Sequence, residues 1–125
     1  MSVVLVYSHD RNVRADVIDA LGETIGGEDL EIREAATAQA VFTGLNRKGV
    51  DCVILDAEAT PFGGMGLAKQ IRDEYDPCPK MILLVAREAD SWLAAWSGVD
   101  AVHAHPVDPL TLPAQVGDLL FIGVV

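Results

Sequence analysis

The chain has 125 residues, half of them hydrophobic and 22% charged, a balance that suits one globular unit with a proper core and excludes a disordered chain. Nine basic residues against nineteen acidic ones leave a net charge of −10 with no basic cluster, which argues against nucleic acid and anionic membranes as partners. Cys52 and Cys78 are too few for a disulfide framework, and their spacing fits no zinc motif.

Val3 to Tyr7 is an unbroken apolar run and reads as a first buried strand, not a signal peptide, because no basic segment precedes it. Ser8-His9-Asp10 ends the run. Asp10 is placed to cap a helix running to about Thr24, with Val13, Val17, Leu21 and Ile25 as its apolar stripe and Gly26-Gly27 as its stop. Leu30 to Ala35 alternates, as an edge strand does. Thr37 caps a second helix through Val41 and Leu45, closed by Gly49.

Val53-Ile54-Leu55-Asp56 follows, a strand buried on both faces that ends in a carboxylate. In an open parallel sheet, ligands sit at this end of the strands. Gly63-Gly64-Met65-Gly66 opens a third helix, which runs from about Met65 to Glu74. It matches neither the P-loop nor the dinucleotide fingerprint and reads as a flexible loop. Met81 to Ala86 is another doubly buried strand. Trp92, Leu93 and Trp96 mark a short fourth helix closed by Gly98, with one tryptophan expected on the sheet and the other partly exposed. Ala101 to His105 is a fifth strand, and Asp108-Pro109 starts a last helix. The tail Phe121-Ile122-Gly123-Val124-Val125 is apolar enough to fold back or join an interface.

Five strands alternating with helices imply a parallel sheet with helices on both faces. The strand ends then gather Ser8, His9, Asp56, Ala86 and His105 at one rim.

The strand into Asp56, the stretch Gly66-Leu67 to Ile71-Arg72, and Gly98-Val99-Asp100-Ala101 running to His105-Pro106 together resemble the receiver domain of bacterial response regulators. The wording of Leu5-Val6-Tyr7-Ser8, of Glu58-Ala59-Thr60-Pro61 and of Gly63 to Gly66 resembles a group of stand-alone, atypical actinobacterial receivers. The resemblance covers residues 1–125 as one domain without an output domain. It implies a flavodoxin-like (CheY-like) three-layer sandwich with a five-stranded parallel sheet in the order 2-1-3-4-5.

Receivers accept a phosphoryl group on the aspartate matching Asp56. An acidic pair after the first strand holds Mg²⁺ for them, and a hydroxyl residue and a lysine grip the phosphoryl oxygens. Here the acidic pair falls on Ser8 and His9, the hydroxyl on Ala86, the lysine on His105 and the reporter aromatic on Val102. Phosphoryl transfer is mostly positioning and charge neutralisation, so these groups are the mechanism. The resemblance therefore implies a non-enzymatic signalling module with phosphorylation impaired or absent, no cofactor, and Mg²⁺ binding weak or absent. It is expected to be cytoplasmic and to bind a protein through the face made by the fourth helix, fifth strand and fifth helix, which carries Trp92, Trp96 and Val102. A homodimer is another use of that face. The rival readings are a working phosphoacceptor in which Asp10, Glu58 and His105 rescue the missing groups, and a metal or small-molecule sensor at the same rim. For metal the donor set would be His9, Asp56 and His105. His103 reads as a core histidine, two positions deeper on the same strand face.

Overall fold

The apolar runs form the strands they predict. In the computed structural model, which describes residues 1–47, 49–60 and 63–121, β1 (Ser2–Tyr7), β4 (Cys52–Asp56) and β5 (Lys80–Val85) lie side by side, buried except at Lys80. Side chains alternate between two cores. Leu5, Tyr7, Val53, Leu55, Met81, Leu83 and Val85 point to one face, where α2 (Ala38–Asn46), α3 (Gly64–Glu74) and α4 (Leu93–Ser97) cover them. Val4, Val6, Cys52, Ile54, Ile82 and Leu84 point to the other, against α1 (Arg11–Leu21) and α5 (Thr111–Phe121). Burying each large aliphatic side chain contributes roughly 1.5–3 kcal/mol, so these two layers dominate the stability. The result is the expected three-layer flavodoxin-like sandwich.

The sheet itself corrects the expectation. It has six strands and is mixed, in the order β2-β3-β1-β4-β5-β6, with β2 (Thr24–Ile25) antiparallel to β3 (Glu28–Ala35) and β6 (Ala101–Ala104) at the far edge. The parallel strands β3, β1, β4, β5 and β6 keep the expected sequence of neighbours; β2 is the addition.

Its origin is local. Gly22 adopts φ +69° and its N–H closes α1 on the Ile18 carbonyl, three residues before the expected end at Thr24. Gly26 and Gly27 then turn a tight hairpin, both with positive φ as such turns require. Ile25 sits four residues beyond Leu21 and enters the same core from β2, so its spacing imitates a longer helix. At Gly26 a Cβ would lie 2.7 Å from Cε2 of Phe121, so α5 locks this hairpin. Residues 122–125 of the apolar tail lie outside the described residues, as does Pro61.

Other boundaries shift as well. α2 ends at Asn46, before the expected Gly49 terminator. α5 begins at Thr111, because Asp108 accepts from the N–H groups of Leu110 and Thr111 in a turn ahead of it. β6 stops at Ala104, and the fourth helix is preceded by a 3₁₀ turn, Glu88–Asp90. Among the described residues no helix is long and apolar enough to cross a membrane.

Candidate functional site

The C-terminal ends of β1, β4, β5 and β6 form one rim, stitched by backbone bonds. Ala57 N–H donates to the Leu84 carbonyl, His105 N–H to Val85, and Ser8 N–H to Ala35. Asp56 closes β4 and is buried, 3% exposed, beside a fully buried Ser8. The Ser8 hydroxyl donates to Asp56 Oδ2 at 2.7 Å and accepts from the Asp10 N–H at 3.0 Å. Glu58 N–H donates to Asp56 Oδ1 at 2.9 Å, so both carboxylate oxygens are engaged from within the protein. Tyr7 lies next to this carboxylate. Burial pushes its phenol above the ordinary value, and the Asp56 charge adds to that.

The remaining rim residues turn elsewhere. His9 is exposed and its Nδ1 accepts from Thr60 N–H at 3.0 Å, tying the first loop to the loop after β4. Asp10 caps α1, with Oδ1 accepting from Asn12 N–H at 2.8 Å. Glu58 reaches Asp56 through its backbone only. Ala86 is exposed and brings no hydroxyl. His105 is half-buried, and no hydrogen bond or ion pair joins it to Asp56. The set of His9, Asp56 and His105 does not come together: among the described residues no three His, Cys, Asp or Glu side chains are placed to hold a metal ion.

His103 is buried in β6, as expected of a core histidine. Its Nε2 accepts from Asp108 N–H at 3.1 Å, which leaves Nδ1 to donate to Gln115 Oε1 at 2.8 Å. Gln115 in turn donates to the Val102 carbonyl.

Two features escape the sequence reading. Arg14, one turn into α1, donates from Nη1 to the Ser8 carbonyl at 2.7 Å and pairs through Nε with Glu34 of β3. It fixes the Ser8 backbone from a partner on another strand, a relation no local pattern encodes. Gly64 is the second. A Cβ there would lie 2.6 Å from the Asp56 carbonyl oxygen, so Gly64 serves close packing on the strand end, whereas a Cβ at Gly66 would meet nothing within 4 Å.

On the fourth helix, Trp92 is the cap and Trp96 lies inside. Both are exposed, 67% and 52%, where one was expected to pack on the sheet. Lys69 of α3 stands over the Trp96 ring, 5.4 Å from its centroid. Val102 is half-buried at the edge of the core.

A doubly wound sheet with a buried aspartate ending its central strand is the arrangement of receiver domains, and solved receivers share the fold. The fold matches the receiver domain of a Francisella response regulator (TM-score 0.81, 20% identity, 96% of this chain and 97% of that one). It also matches chemotaxis response regulator CheY4 of Vibrio cholerae (TM-score 0.79, 19% identity, 96% and 99%). TrrA of Thermotoga maritima, solved with Mg²⁺ and BeF, aligns at 26% identity over 96% of this chain and all of that one, with TM-score 0.79. No protein-family model matches the chain. An uncharacterized response regulatory protein of Mycobacterium tuberculosis, strain H37Rv, is 45% identical over 119 residues, 94% of this chain and 90% of that protein, and strain CDC 1551 carries a counterpart with the same match. The chain belongs to the response regulators, and like their receiver domains it is a signalling module and not an enzyme.

Proposed function

We propose that this chain is an atypical receiver that signals by binding another protein, with phosphoryl transfer to Asp56 impaired. The observation that carries the reading is the 2.7 Å bond from Ser8 to Asp56. It spends on a neutral hydroxyl the carboxylate oxygen that an incoming phosphoryl group and its metal would need. Mg²⁺ wants oxygen ligands in near-octahedral order. Ser8 offers a neutral hydroxyl already bonded to Asp56 and to the Asp10 N–H, His9 offers nitrogen to a backbone N–H, and Asp10 caps a helix through Oδ1. Magnesium is accordingly held weakly. At the positions where receivers use a hydroxyl and a lysine, Ala86 and His105 supply neither group.

The partner surface in this reading is the face of α4, β6 and α5. Two exposed tryptophans on a −10 chain are unusual solvent-facing groups, and such aromatics mark binding surfaces. A second copy of the chain is an alternative occupant. The alignment spans 90% of the mycobacterial relative, which leaves that protein little room for an output domain; in this reading the present chain likewise works as a receiver by itself, in the cytoplasm.

The test is phosphoryl uptake from a small-molecule donor with Mg²⁺. Each missing electrostatic contact costs roughly a hundredfold in rate, ~3 kcal/mol. The unmodified protein should therefore label poorly, and the combination Ser8→Asp, His9→Asp, Ala86→Thr, His105→Lys should restore Mg²⁺-dependent labelling. His105→Lys alone should do little, because the metal still lacks its carboxylates. Efficient labelling of the unmodified chain, lost in Asp56→Asn, would overturn the reading in favour of a working phosphoacceptor.

A further inference from the structure

Away from the rim, a cavity of about 430 Å³ opens between α2 and β3, within the size range of small-ligand sites. Two of the nine basic residues of this strongly acidic chain line it, Arg33 from β3 and Arg47 from the end of α2. Among the described residues Arg33 carries the buried side-chain polar atom without a hydrogen-bond partner, its Nη1. Its Nε is anchored on Glu31. Arg47 is exposed, and among the described residues its guanidinium pairs with no acid. Thr37, Gln39 and Thr43 bring further hydrogen-bonding groups to the same walls. Of the carboxylates, Glu31 is paired with Arg33, while Glu34 lines the cleft as well and is paired there with Arg14.

We infer that this cleft binds a small oxyanion, a phosphate- or carboxylate-bearing molecule, between Arg33 and Arg47. An unsatisfied guanidinium N–H costs free energy that an anionic acceptor removes, and the planar fork of arginine matches phosphate and carboxylate oxygens two at a time. Nη1 is buried as it stands, so in this proposal the Arg33 side chain, 29% exposed and lining the cleft, turns on its Glu31 anchor to present Nη1 to the ligand. Arg47 supplies the uncompensated positive charge, and the threonine and glutamine groups bond to hydroxyls or further oxygens of the ligand. The chain as a whole carries a net charge of −10, so an anion gains most where two arginines converge. The site is independent of Asp56 and stands whether or not that residue is phosphorylated.

The experiment is a two-dimensional ¹⁵N NMR titration of the full chain with inorganic phosphate, glucose 6-phosphate and succinate, at ionic strength held constant with sodium chloride. Saturable shifts of the Arg33 side chain and the Thr43 and Gly44 amides are expected with at least one probe. A response to the phosphates alone identifies a phosphate ligand, and a response to succinate alone a carboxylate. Arg33→Gln and Arg47→Gln should each weaken the affinity about tenfold or more, the worth of one charge-assisted hydrogen bond. Arg87→Gln, remote from the cleft, should leave it unchanged. Arg47 is exposed at a helix end, so its variant folds and serves even if Arg33→Gln does not. Non-saturating shifts with all three probes, saturable shifts confined to other surfaces, or an Arg47→Gln protein of unchanged affinity would overturn the proposal.

Discussion

At the scale of single residues, Ser8 decides the character of the rim. It is fully buried, and its hydroxyl accepts from the Asp10 N–H and donates to Asp56. Ser8→Ala removes both bonds and strands a buried carboxylate oxygen, which costs about 1–3 kcal/mol. Urea denaturation should show that loss, and a Ser8→Ala protein as stable as the parent would mean that water replaces the hydroxyl. Gly64 gives a second residue-scale prediction. Gly64→Ala drives a methyl group to 2.6 Å from the Asp56 carbonyl oxygen, an overpacking of the kind that costs ~1–3 kcal/mol. Gly66→Ala, where nothing lies within 4 Å, should be tolerated in the same assay. Asp10 was legible in the sequence as a helix cap because capping is a local relation. The Ser8 to Asp56 bond was not, because it joins residues 48 apart and exists only once β1 and β4 lie side by side.

At the scale of elements, β4 carries chemistry at both ends. Cys52 begins the strand, and burial pushes its thiol up to about 12, with Asp100 and Asp51 adding to the shift. A folded-state pKa above the unfolded one stabilises the protein fully below the unfolded value. As pH rises past that value the unfolded chain releases a proton that the native thiol keeps, so stability falls until the folded pKa is reached. Tyr7, raised by burial and Asp56, acts in the same direction at higher pH. Urea midpoints should thus be flat in this respect near neutrality and decline from about pH 8.5 upward, the ordinary thiol range. Cys52→Ala should flatten the first part of that decline; an unchanged slope would assign it to other groups. The strands β1, β4 and β5 were readable because short runs rich in Val, Ile and Leu, bounded by polar or turn residues, suit a strand buried on both faces. The β2–β3 hairpin was not, since Ile25 completes a helical spacing while its true partner is a strand two glycines away.

At the scale of the whole molecule, the two sheet faces are closed by helices while the α4 edge presents Trp92 and Trp96 to solvent. If that surface holds the partner, Trp92→Ala or Trp96→Ala should weaken the complex by ~2 kcal/mol or more. Folding should be nearly unaffected, within about 0.5 kcal/mol, since neither ring is in the core. Two stable variants that bind the partner normally would move the interface elsewhere. The aromatic pair itself was visible in the sequence. That both rings face outward was not, because the five-residue α4 begins only after Trp92 and has a single buried residue, Ser97, to seat it.

The placement of the tryptophans also determines what light can report about this protein. Both of the chain's indoles stand in water on one surface, and the interior holds none. Unfolding moves them from water to water, so their emission should follow denaturation poorly. Docking on the α4 surface moves them from water to protein, and the same emission should follow it directly. The molecule carries its own fluorophore where a partner would touch it, and an unlabelled titration can read that contact.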